Sequence, residues 1–210
     1  MAPPWLEKFI VRNDATSDNR TSCQEPVLTL HYSTKAEHER ILNVAEESLP
    51  PYVIKRKAKL GGIYGDECQV FSTANGGRQV ASIDFHTFPP RIEIDFLEDG
   101  RKIKIKTYKA LREYEAPGFL GPLHWKATGM VAYGKASWEL RSDTDLVLQV
   151  SVDDSHANGV IKLYKDKLDD RVTEELLVVG MSQIEEYKRM IRLDPPLFQA
   201  DRPGKVNVEA

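Results

Sequence analysis

Asp170-Arg171-Val172-Thr173-Glu174-Glu175-Leu176-Leu177-Val178-Val179-Gly180-Met181-Ser182-Gln183-Ile184-Glu185-Glu186-Tyr187-Lys188-Arg189-Met190-Ile191-Arg192-Leu193 is the stretch on which the fold turns. Asp170 is the predicted N-cap. Glu174 and Glu175 put negative charge at the positive end of the helix dipole, and Lys188, Arg189 and Arg192 put positive charge at the other. Pro195-Pro196 ends the helix. Val172, Leu176, Val179, Ile184, Tyr187 and Ile191 follow a helical stripe, and Leu177, Val178 and Met181 widen it almost around the circumference. A helix apolar on all sides has to be buried on all sides.

What buries it lies upstream. Val27 to Tyr32 is a run of β-formers after Pro26, and Tyr52-Val53-Ile54 opens a second extended segment. Glu67–Ser72 and Gln79–Phe85 flank Asn75-Gly76-Gly77, and Arg91–Leu97 and Arg101–Tyr108 flank Asp99-Gly100, turn residues that supply positive φ. Further strands are predicted at 123–128, 136–142, 145–152 and 160–165, separated by Gly134, Asp143-Thr144 and Asn158-Gly159. Residues 35–49 are open to a short helix or a loop. Short strands with turn signals every ~8–12 residues mark a barrel or sandwich. One buried helix after many strands points to a sheet wrapped about a helix. The expected organisation is a leader over 1–25, a mainly β domain over 26–194 with its helix at about 170–193, and an irregular tail over 195–210.

Composition agrees. Of 210 residues, 41% are hydrophobic, enough for a core, and a net charge of −3 argues against general attraction to nucleic acid. Two cysteines, Cys23 and Cys68, make no disulfide framework. No run approaches the ~20 apolar residues that span a bilayer, and no secretory start is seen. A cytoplasmic protein is expected, with the nucleus or the periphery of a membrane left open.

Several core patterns resemble the tubby C-terminal-like superfamily, which includes tubby domains, phospholipid scramblases and LURP-one-related proteins. They are Val27-Leu28-Thr29-Leu30, Val80-Ala81-Ser82-Ile83, Trp138-Glu139-Leu140 before Leu146-Val147-Leu148, and Glu174 to Val179 leading to Tyr187-Lys188-Arg189. The resemblance covers about residues 27–193 and is closest in appearance to uncharacterised fungal members. It implies a nearly closed antiparallel barrel of about twelve strands around a C-terminal hydrophobic helix. It also implies a bias towards lipids, since tubby domains bind phosphoinositides and scramblases act on membranes; no binding residue is matched position by position.

Two basic clusters are the candidate anion sites. Arg101, Lys102, Lys104, Lys106, Lys109 and Arg112 occur with no acidic residue between 101 and 112. Strand alternation sets Lys102, Lys104 and Lys106 on one face, where they would meet a phosphoinositide headgroup or an anionic membrane surface. A two-residue turn at Asp99-Gly100 would pair Asp95 with Lys104 and Glu93 with Lys106, and so neutralise two of them. Lys55, Arg56 and Lys57, followed by Lys59 and Gly61-Gly62, form the second cluster, which also resembles a short nuclear-import signal. Its other reading is an exposed loop leaving a strand.

Catalysis finds little footing. The histidines are scattered, with no metal-binding spacing, and no serine lies in a nucleophile elbow. No metal or other cofactor is implied. The leading reading is a non-enzymatic binding or adaptor module for anionic headgroups. One alternative is an enzyme or small-ligand carrier using a pocket at the barrel mouth near His124, Trp125 and Tyr133. Another is a protein-interaction module acting through Phe119-Leu120, an apolar pair between Pro117-Gly118 and Gly121-Pro122 that would meet a partner or a membrane.

Overall fold

The computed structural model describes residues 25–44, 51–58, 66–107, 112–131 and 134–193. Alternating inward apolar side chains form twelve strands: β1 (Leu28–Ala36), β2 (Glu39–Val44), β3 (Tyr52–Ala58), β4 (Asp66–Ser72), β5 (Gln79–His86), β6 (Arg91–Phe96), β7 (Lys102–Lys106), β8 (Arg112–Ala116), β9 (Gly121–Met130), β10 (Ala136–Arg141), β11 (Leu146–Val152) and β12 (Asn158–Leu163). Helix α1 (Asp170–Leu193) follows. The strands form one antiparallel sheet in the order β7-β6-β5-β4-β3-β2-β1-β12-β11-β10-β9-β8. Two meanders, β1 to β7 and β8 to β12, are therefore joined by the β1–β12 ladder. The free edges, β7 and β8, approach each other and nearly close the barrel.

Ten of these strands coincide with predicted segments. The other two are β2, where a short helix or loop was expected, and β8. In β2 Leu42 is buried beside an inward Arg40, and in β8 Tyr114 and Ala116 turn inward. The leader through residue 24, the Gly61-Gly62 segment, Lys59, Lys109, Tyr133 and the tail from residue 194 lie outside the described residues.

Helix α1 fills the barrel. Its cap is Asp169, one residue before the predicted one: the Asp169 carboxylate accepts the Val172 N–H at 2.8 Å. From Glu175 to Arg189 every residue is buried. Leu176, Val178, Val179, Met181 and Ile184 pack into a core with Leu30, Ile54, Val70, Ile83, Ile94, Leu148 and Ile161. The helix also passes close to the wall, for a Cβ at Gly180 would lie 3.0 Å from Leu148.

The second half of α1 is buried although it is polar, and pairing makes this tolerable. Tyr32 donates its hydroxyl hydrogen to Glu185. Lys188 Nζ donates to Tyr32 Oη and to Thr34 Oγ1, each at 3.0 Å. Arg40 lies 3.5 Å from Glu185 and also donates to the carbonyls of Ala36 and Glu37 at 2.7 and 2.8 Å. Arg189 binds Glu186 at 2.9 Å. At the end of the helix, Arg192 and Arg56 share Asp66 at 3.4 and 3.1 Å. Burial pushes the Lys188 ammonium down to about 8, against the pull of Glu185.

The opposite end of the helix holds the barrel's edges. Glu175 accepts from Tyr114 of β8 at 2.7 Å and lies 3.0 Å from Arg101, just before β7. Arg101 in turn donates to the Glu115 carbonyl of β8 at 2.7 Å. One carboxylate thus ties both free edges to the helix. Burial raises the Glu175 carboxyl above its usual value, opposed by these two partners.

Candidate functional site

The β6–β7 hairpin carries the first basic cluster, and its register is the decisive detail. The loop is longer than the two-residue turn expected from Asp99-Gly100. Phe96 N–H donates to the Arg101 carbonyl at 2.9 Å, leaving Leu97 to Gly100 as a four-residue connection with Gly100 at φ 68°. Every pairing is therefore displaced by two residues from the expected one. Asp95 faces Lys102, Glu93 faces Lys104, and Arg91 faces Lys106. A shift of two keeps the faces: Ile103 and Ile105 stay inside and the three lysines remain exposed.

The lysines are consequently not alike. Lys102 pairs with Asp95 at 2.9 Å and Lys104 with Glu93 at 3.0 Å. Glu93 also receives Arg91 Nε at 2.7 Å and sits 3.1 Å from His86 Nε2. Arg91, together with Lys104 and His86, holds the Glu93 carboxyl down at about 2. Lys106 has no carboxylate partner among the described residues. It faces a second cation, Arg91, which in turn faces His86 on β5.

The second cluster does not join the first. Lys55 and Lys57 point outward from β3, whereas Arg56 turns inward and binds Asp66. Lys55 Nζ lies 5.1 Å from the centre of the Phe71 ring. Lys57 and Lys104 occupy one transverse row, but Glu67, Asp84 and Glu93 stand between them. At ~4.8 Å per strand the two lysines are roughly 19 Å apart. An acidic strip divides the two basic clusters.

The apolar pair Phe119-Leu120 is also split. Phe119 is 70% exposed with Lys165 Nζ 6.0 Å from its ring, while Leu120 belongs to the core. The more exposed aromatic is one that sequence reasoning passed over. Phe88, in the turn Thr87–Pro90 between β5 and β6, is 93% exposed. The available signal was its position: a large apolar residue before Pro89-Pro90, next to His86 and Arg91.

At the proposed mouth, His124 and Trp125 are neighbours on β9 and so face opposite sides. Trp125 is buried in the core and His124 turns outward, opposite Arg141 and Glu113. The lumen itself is occupied by α1. A groove of about 810 Å³ lies instead on the outside of the barrel. Along it runs the row His31–Val160–Ser151–Ser137–Gly129, from β1 to β9, whose last four members are small or apolar. Among the described residues, no group of His, Cys, Asp and Glu is arranged to hold a metal ion, and no helix is long and apolar enough to cross a membrane. No family model, curated protein or solved structure matches this chain.

Proposed function

We propose that this chain is a tubby-like barrel acting as a non-enzymatic binding module, which takes anionic phospholipid headgroups on its outer surface at the periphery of a membrane. The supporting observation is the opposition of Arg91 and Lys106 across the β6–β7 ladder. Like charges placed directly opposite each other destabilise a sheet. Glu93 takes Arg91 Nε at 2.7 Å, and a phosphate bridging Lys106 Nζ and the remaining Arg91 N–H groups would relieve the repulsion that is left and gain charge-assisted hydrogen bonds from both. Lys104 borders the site, although Glu93 already engages it. The site is thus centred two residues further along β7 than the middle of the lysine run. The Lys55–Lys57 segment plays no part in it, because the acidic strip intervenes.

Sedimentation with vesicles of neutral lipid, phosphatidylserine and phosphoinositide, at low and moderate salt, tests this reading. Binding to the anionic vesicles that weakens with salt is expected. Lys106→Glu should reduce it by ten-fold or more, and Lys104→Glu with Lys106→Glu should abolish it, with the circular dichroism spectrum unchanged. Equal binding by wild type and Lys106→Glu would sink the proposal, as would an absence of binding to every vesicle.

A further inference from the structure

The strands run end to end along the barrel, so each hairpin turn belongs to one of two ends. The Glu175 end carries the β6–β7 loop and the β8–β9 turn, and the Lys188 end carries the β5–β6 turn and the β9–β10 connection. Exposed apolar side chains occur at both: Leu97 and Phe119 at the first, Phe88 and Val131 at the second. Loop charge is mixed at both: the Glu175 end carries Glu98, Asp99 and Asp145 paired with Arg78, Arg171 and Lys165, and the Lys188 end carries Glu37, Asp153 and Asp154 in its turns. The surroundings of the two rings separate them instead: Lys165 covers the Phe119 ring, whereas Phe88 is 93% exposed. At the other end Phe88 follows His86 by two residues and precedes Arg91 by three, and Arg91 faces Lys106. Around the sheet, Phe88 and Val131 lie on either side of the β7–β8 seam, with Lys106 between them.

An apolar tip rimmed by cations is the arrangement by which a protein rests on an anionic bilayer. The ring leaves water for the acyl boundary while the cations remain at phosphate depth. We propose that Phe88 enters the acyl boundary of an anionic membrane while Arg91 and Lys106 meet the phosphates around it, so that the barrel stands on its Lys188 end. This rests on the headgroup reading above and adds to it an orientation and an apolar anchor. It also moves the membrane contact from Phe119, expected from sequence, to the opposite end of the barrel.

The experiment uses the full chain and vesicles of phosphatidylcholine with phosphatidylserine. Phe88→Ser should weaken binding roughly ten- to hundred-fold, as expected for the loss of one buried phenyl group, and Phe119→Ser should leave it unchanged. Phe88 is almost wholly exposed, so the substitution does not threaten folding. In a Phe88→Trp variant, lipids brominated on the acyl chain should quench the added fluorescence relative to wild type, which contains three tryptophans of its own. Should wild type bind, and Phe88→Ser bind equally with no quenching in Phe88→Trp, the anchor is overturned and the headgroup site stands. Loss of binding in Phe119→Ser but not in Phe88→Ser would place the opposite end on the membrane and overturn it too. A wild type that ignores anionic vesicles defeats both proposals.

Discussion

Lys188 shows how a charged residue is kept inside this barrel. Its ammonium group is buried, yet Tyr32 and Thr34 accept hydrogen bonds from it and Glu185 lies within the same network. Burial still outweighs these partners, and the group titrates at about 8 rather than at its ordinary 10.5. Between those values the unfolded chain binds more protons at this position than the folded one. The contribution of Lys188 to stability is therefore fully present above 10.5 and is lost as the pH falls to about 8. Cys68 works in the opposite direction in an overlapping range. Burial holds its thiol well above its ordinary value of 9.0, so stability is lost as the pH rises past that point. Subtracting the stability curve of Lys188→Met from that of wild type cancels the Cys68 contribution, and stopping below 10.0, the ordinary value of the Tyr32 phenol that Lys188 contacts, keeps that partner's ionisation out. The difference, from urea denaturation at about pH 7 to 9.5, should move in favour of wild type as the pH rises. A flat difference would show that the buried ammonium titrates as it does in water.

At the scale of elements, the weakest place in the sheet is the seam. β7 and β8 form no ladder with each other, and their junction relies on Arg101, Tyr114 and Glu175. Glu175→Ala should cost about 1–3 kcal/mol by leaving a buried Tyr114 hydroxyl without its acceptor and the Arg101 guanidinium with the Glu115 carbonyl but no carboxylate. Amide exchange should quicken in Lys102–Lys106 and Arg112–Ala116 before it changes in β1 or β12. Uniform acceleration across all strands would show that the carboxylate supports the whole core and has no special part in the seam. Arg101 also shows where sequence reading stops. Alternation made ten strands visible because most of their inward positions are apolar. β2 hides an inward Arg40, and β8 is only five residues long. The helix was legible from its apolar circumference, but the burial of Glu185, Lys188 and Arg189 was not, because each depends on a partner brought in by folding. The candidate site was half visible for a similar reason. The lysine alternation could be read directly, whereas the opposition of Lys106 and Arg91 depends on a loop two residues longer than its Asp-Gly signal suggests. The exposure of Phe88 is a property of the folded surface, with no local pattern to mark it.

For the molecule as a whole, α1 is the core of both meanders. It packs against β5 and β6 on one side of the chain's topology and against β11 and β12 on the other. The β1–β12 ladder then joins the two ends of the β sequence. Neither meander can bury its inward face without the helix, and the helix has nowhere to hide its apolar circumference without both. Such mutual dependence predicts a single cooperative unfolding transition. Trp125 and Trp138 sit on β9 and β10 and so report on the second meander. Ile94, fully buried on β6, belongs to the first. Ile94→Ala should lower stability by about 2–5 kcal/mol and shift the tryptophan fluorescence transition and the far-ultraviolet circular dichroism transition together. Met181→Ala, from the helix, should also shift both probes together. If Ile94→Ala moved only the circular dichroism curve and left the tryptophan transition in place, the two meanders would be separate folding units, and the helix would be the core of one rather than of both.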